Sequence, residues 1–372
     1  MPSRTSSSKL KEKIGQLFIV GFEGTEMSSN LNSMLRRLQP SGVILFARNI
    51  VTAQQTHALL LSCRTVVPTP LFLCVDMEGG LVDRLKRALQ PTPSPAEVFA
   101  TRDRRLFRQH GRVIGEECRT VGFNVDFAPV SDLAFADSRA VLGSRVVSAS
   151  PRQAVTYIRE FVRGLKAEGI LGCGKHYPGL GEGKLDSHQS LPLIAKPWKQ
   201  LWAEDLVPYR MLRNEFSFVM VSHAAYPAVT GDHMPASLSR KWITDILRHK
   251  IGYKGLVISD DMEMAGLTSA STVDQAAVAC IRAGGNICLI CHTEELIQQA
   301  YEALMREAER DTKFAALVQQ SAKRVMDFKK RTLGPKRAVP QPTPPRIERL
   351  TRRIWEFSEQ VRLQALAREE PA

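Results

Sequence analysis

Three short stretches carry side chains able to do chemistry. "KHYPGLGEGKLDSH" (175–188) begins with Lys175 and His176, runs through a glycine-rich loop and ends in Asp186-Ser-His188. "GLVISDDMEMAG" (255–266) places Asp260 and Asp261 at the end of an apolar run, and "PLFLCVDMEGG" (70–80) does the same with Asp76. Asp186 and His188 stand two apart, so in an extended loop both side chains fall on one side. A carboxylate bonded to an imidazole fixes its tautomer and favours its protonated form, which is one way to build a general acid/base. The same pattern also fits a solvated polar loop. Of Asp260 and Asp261, one fits a helix cap. The other fits a nucleophile, or a metal ligand if Asp76, His176 and His223 are recruited. "GLGEGK" looks like a phosphate cradle, but three residues separate Gly179 from Gly183 and Leu185 follows Lys184, so the Walker spacing fails.

These residues need elements to hold them. Short apolar, β-branched runs fall at 16–22, 42–48, 70–76, 124–130, 170–176, 218–224, 255–261 and 286–292. Segments of helical period lie between them. One is 152–169, with Ala154, Ile158, Phe161 and Leu165 on one face; another is 235–255, with cap candidates in the stretch from Ser237 to Arg240 and a stop at Gly252. Strands too apolar to be one-sided, alternating with helices, predict a parallel sheet closed into a (β/α)₈ barrel of the TIM type. An open dinucleotide-binding sheet is disfavoured, because "GFEGTE" after the first run lacks the G-x-G-x-x-G spacing. In a barrel, chemistry collects at the carboxyl ends of strands. There the sequence puts Asp76 with Glu78, Lys175 with His176, His223, Asp260 with Asp261, and His292.

With 372 residues, 44% hydrophobic and 24% charged, the composition is that of a soluble globular chain. No apolar run is long enough for a membrane span, and the polar, basic start "MPSRTSSSKLKEK" points to the cytoplasm. The net charge of +13 raises nucleic-acid binding, but no RNA- or DNA-binding motif accompanies it and none is expected. Seven scattered cysteines do not form a disulfide framework. Cys288-x-x-Cys291 lies within an apparent strand and reads as core. The domain is expected to span 1–333, followed by a Pro-rich linker (334–346) and an amphipathic helix (347–372) with Ile347, Leu350, Ile354, Phe357 and Val361 on one face. That helix should pack on the barrel or on a second subunit.

Taken in order, "GQLFIVGFEGTE", "GVILFARNI", "VDMEGGLVDRL", "FNVDFAPVSD", "VLGSRVV", "KHYPGLGEGKLDSH", "VMVSHAAYPAV" and "GLVISDDMEM" resemble the β-N-acetylglucosaminidases of glycoside hydrolase family 3 over about residues 10–330. The resemblance implies a retaining exo-β-N-acetylglucosaminidase that needs neither metal nor organic cofactor. Its partner would be a carbohydrate, in a bacterium a muropeptide-type fragment of the cell wall. Asp260 would be the nucleophile, His188 the acid/base and Asp186 its support. Asp76, Arg145, Lys175, His176 and His223 would bind the sugar. The chain departs from the family pattern at Met77, Leu81, Leu180 and Glu182-Gly183. Another β-glycosidase or a glycoside phosphorylase of the same family, or a sugar-binding protein of reduced activity, are the alternatives. The sequence does not give the oligomeric state.

Overall fold

The computed structural model describes residues 4–181, 191–334 and 339–369. Eight parallel strands close into a barrel: β1 (Phe18–Val20), β2 (Gly42–Ile44), β3 (Phe72–Val75), β4 (Val125–Asp126), β5 (Leu171–Tyr177), β6 (Phe218–Val221), β7 (Leu256–Asp261) and β8 (Ile287–Ile290). Each pairs with its sequence neighbours, and β1 closes the ring by pairing with β8, Ile19 opposite Leu289. Every run read as a strand is one. β4 is the shortest beside its expected span, ending at Asp126, so this aspartate sits at a strand end and not inside the strand.

Alternation within the strands sorts side chains between two cores. Ile19, Ile44, Phe72, Cys74, Val125, Cys173, Phe218, Ile258 and Leu289 fill the barrel, while Phe18, Val43, Leu73, Val219, Val257 and Cys288 meet the helices outside. Cys291 lies in the inner cluster and Cys288 in the outer one, so this pair straddles the sheet and cannot converge on one ion. All seven cysteines are free.

The amino end of the barrel is plugged by the helix Thr312–Thr332. Phe328 packs against Phe72 and Phe218, the first residues of β3 and β6, at centroid distances of 6.2 and 5.8 Å. Beside it, fully buried Lys329 donates to Gln16 Oε1 at 2.7 Å. The C-terminal helix runs from Pro344 to Glu369 and so begins inside the stretch read as linker; proline is tolerated in a first helical turn. Its Leu350, Ile354, Phe357 and Val361 are buried against the barrel, chiefly on helices Arg104–Val121 and Pro95–Ala100. Phe357 stacks on His110 at 5.8 Å. The apolar face therefore faces the protein's own helices. Among the described residues no helix is long and apolar enough to cross a membrane.

Candidate active site

A cavity of about 430 Å³ opens at the carboxyl ends of the strands, lined among others by Asp76, Glu78, Arg145, Lys175, His176 and Asp260. Asp76 follows β3, Lys175 and His176 lie in β5, and Asp260 lies in β7. After Asp76 the chain folds into a hairpin, Met77–Gly79 against Val82–Asp83. Gly79 and Gly80 take φ of +86° and +58° in its turn, and a Cβ at Gly79 would lie 2.2 Å from the Pro93 carbonyl oxygen. Only glycine meets both demands, so "MEGG" is the sequence that tucks Glu78 beneath the cavity.

Glu78 organises a buried ion cluster. Its carboxylate accepts a two-pronged bond from Arg145, at 2.8 and 2.9 Å, and lies 2.7 Å from Lys175 Nζ. Lys175 also donates to Asp76 at 2.7 Å. Burial opposes charge on Glu78, Arg145 and Lys175, but the mutual attraction wins. Arg145 and Lys175 hold Glu78 far below the usual carboxylate range, and Asp76 and Glu78 hold Lys175 above the usual amine range. Glu78, Lys175 and Arg145 are thus ionised at neutral pH, and Asp76 and Arg145 are partly open to the cavity. Forked carboxylates and guanidinium groups of this kind suit sugar hydroxyls, which both donate and accept.

Asp260 faces the same cavity. Burial disfavours its charge, yet the fields of His176 and His223, the Asp261 N–H (2.9 Å) and Lys175 outweigh it and hold the carboxyl below its ordinary value. A carboxylate so held is an anion at neutral pH. Asp261 also reaches the cavity, where its Oδ2 lies 3.4 Å from His292 Nε2, while its Oδ1 accepts from Glu263 N. Glu263 in turn accepts the backbone N–H groups of Cys291, His292 and Thr293, fixing the chain after β8.

The structure thus brings together Asp76, Arg145, Lys175, His176 and Asp260. His223 differs from expectation. It is fully buried and absent from the cavity wall, with Nδ1 on Ser237 Oγ (2.7 Å) and Nε2 on the Asp261 carbonyl (2.9 Å). Both ring nitrogens are used in supporting the turn that carries Asp260. Asp186 and His188 lie outside the described residues. Sequence reasoning placed Glu78 with Asp76 at the strand end but gave it no role in the site. It also missed Arg84, whose Nε is buried in the cavity region without a partner among the described residues, and Phe46, against which His292 stacks at 5.5 Å. The signal for both was position, since each follows a strand or the hairpin on the same end of the barrel.

The profile of the glycosyl hydrolase family 3 N-terminal domain matches residues 9–328. The chain belongs to glycosyl hydrolase family 3. It is 34% identical over 295 residues to the β-hexosaminidase of Stenotrophomonas maltophilia R551-3, covering 77% of this chain and 87% of the relative. It is likewise 34% identical over 284 residues to the β-hexosaminidase of Pseudomonas aeruginosa LESB58, covering 76% and 84%. The fold superimposes on a family 3 β-N-acetylglucosaminidase from Paenibacillus sp. FPU-7 with a TM-score of 0.85 at 29% identity, over 94% of this chain and 68% of that one. This family 3 protein is therefore a glycoside hydrolase.

Proposed function

We propose that this hydrolase is a retaining exo-β-N-acetylglucosaminidase, with Asp260 as nucleophile and His188 as acid/base. The observation that carries the reading is Asp260 itself, an ionised carboxylate on the wall of a cavity whose neighbouring wall is the Asp76–Glu78–Lys175–Arg145 cluster. The relatives' names supply the sugar. In the first step an Asp260 oxygen bonds to the anomeric carbon as the glycosidic C–O bond breaks, and His188 gives its proton to the departing oxygen. In the second, His188 takes a proton from water as the water oxygen bonds to the anomeric carbon and the bond to Asp260 breaks. Asp186 supports the His188 ring through both steps. Asp76, Arg145, Lys175 and His176 hold the terminal sugar. A neutral imidazole as base avoids placing a second anion beside Asp260.

We extend the proposal to cell-wall fragments bearing a terminal β-linked N-acetylglucosamine as the natural substrate. The test is hydrolysis of an aryl N-acetyl-β-glucosaminide by wild type, Asp260→Ala and His188→Ala. Loss of turnover in Asp260→Ala is expected, and unchanged turnover there would remove the nucleophile assignment. Leu180 gives the cavity an apolar wall and Leu81 is largely exposed, which keeps a sugar-binding protein of reduced activity as a second reading. N-acetylglucosamine binding by the wild type without turnover would select it.

A further inference from the structure

Asp132 is a buried carboxylate that the two chemical steps do not use. It lies in the segment after β4, where Val130 bridges in parallel to Lys175 and Ser131 N donates to the Lys175 carbonyl. That pairing lays Asp132 alongside His176. Its Oδ2 accepts from His176 Nδ1 at 2.7 Å and from His176 backbone N at 3.2 Å. Its Oδ1 accepts from Leu180 N at 2.7 Å. The side chain is fully shielded from solvent. The His176 ring faces the cavity, and no hydrogen bond to its Nε2 is found among the described residues.

We propose that Asp132 is a positioning residue that locks the His176 ring with its Nδ1–H on the carboxylate, so that Nε2 is the ring atom presented to the sugar. The physical reason is the cost of the alternative. With the proton on Nε2, a lone pair on Nδ1 would face a buried carboxylate oxygen, leaving both acceptors without a donor. The same carboxylate also holds the chain at Leu180, four residues on. One side chain therefore fixes the ring and the root of the glycine-rich segment in a common frame. The ligand group that fits is a sugar hydroxyl, which can pair with Nε2 and also accept from a neighbouring cation such as Lys175. Lys175 Nζ is held by Asp76 and Glu78 on the other side of the same strand end.

The claim about the ring stands on geometry, and the claim about the sugar rests on the proposed function. The two are tested separately. In protein labelled with ¹⁵N-histidine, long-range ¹H–¹⁵N correlation reports which ring nitrogen carries the proton, with the His176 signal assigned by its loss in His176→Gln. Wild type is expected to keep Nδ1 protonated at every pH sampled, whereas Asp132→Asn should populate the Nε2–H form. A wild-type ring with Nδ1 unprotonated would overturn the proposal without reference to any variant's folding, and so would an unchanged Nδ1–H ring in folded Asp132→Asn. On an aryl N-acetyl-β-glucosaminide, Asp132→Asn should lose about 10- to 100-fold in kcat/KM, the range for a hydrogen bond to a charged group. A loss under twofold would overturn the link to the sugar. A wild type inert on that substrate would instead undo the functional reading and leave the tautomer result standing.

Discussion

Glu78→Gln is the sharpest perturbation of the ion cluster. In the wild type two carboxylates, Asp76 and Glu78, face two cations, Lys175 and Arg145. The substitution keeps the shape and removes one negative charge, leaving two cations against one carboxylate in a place where Glu78 is 1% exposed. Three short contacts, at 2.8, 2.9 and 2.7 Å, lose their charge, and the new amide N–H group faces donors. Stripping one partner from a buried pair costs about 3–5 kcal/mol. Urea unfolding followed by fluorescence of the four tryptophans would read that loss. Glu78→Gln/Arg145→Met brings the cluster back to one carboxylate and one cation, and should recover at least about half of it. Activity should not return, because Arg145 is then gone from the cavity wall. The pH dependence has a definite sign. The folded carboxyl of Glu78 lies below its unfolded value, so its contribution is complete above about pH 4.3 and falls away as pH drops toward the folded value. Glu78→Gln should flatten that acid limb. A single variant within about 1 kcal/mol of wild type, or a double variant less stable than the single, would refute the charge-balance reasoning.

Other perturbations probe parts of the molecule away from this cluster. Burial pushes the Lys329 ammonium down to about 7 from 10.5, so between those values the unfolded chain binds a proton that the folded one does not. Stability should therefore rise with pH across that window, by at most about 4–5 kcal/mol, and Lys329→Met should abolish the rise in urea titrations at pH 7 and 9.5. Phe357→Ala deletes a buried ring that stacks on His110 and should cost about 3–5 kcal/mol of docking for the C-terminal helix. Limited proteolysis between Gly334 and Pro344 should then quicken at least tenfold; an unchanged rate would show that Phe357 does not anchor the helix. His188→Ala should hurt substrates with poor leaving groups more than nitrophenyl ones, since a good leaving group needs little protonation. Equal losses on both would speak against His188 as the acid.

The barrel was readable because each strand is apolar on both faces, a pattern that parallel pairing requires. Strand ends then led to Asp76, Lys175, His176 and Asp260 without any contact information. What could not be read was how polar groups pair once they meet. His223 looked like a wall residue because it follows β6 in the same way that His176 sits in β5. The pairing of its two nitrogens with Ser237 and the Asp261 carbonyl is a long-range fact, set by how residues 235–239 fold over the barrel end. Ser237 likewise looked like a helix cap, but the helix starts at Lys241 and its hydroxyl serves His223. Asp132 was hidden for a similar reason, because its partners are 44 and 48 residues away. The tail helix was legible from its apolar stripe, yet the helix Arg104–Val121 that receives it is a tertiary fact.

The central claim is that Asp260 becomes covalently bonded to the sugar. The most direct test is trapping with a 5-fluoro-N-acetylglucosaminyl fluoride, followed by peptide mass spectrometry. A slowly hydrolysed adduct on the 255–266 segment, fragmenting to Asp260 and absent in Asp260→Ala, is the predicted result. An adduct on another residue, or full turnover by Asp260→Ala, would contradict it.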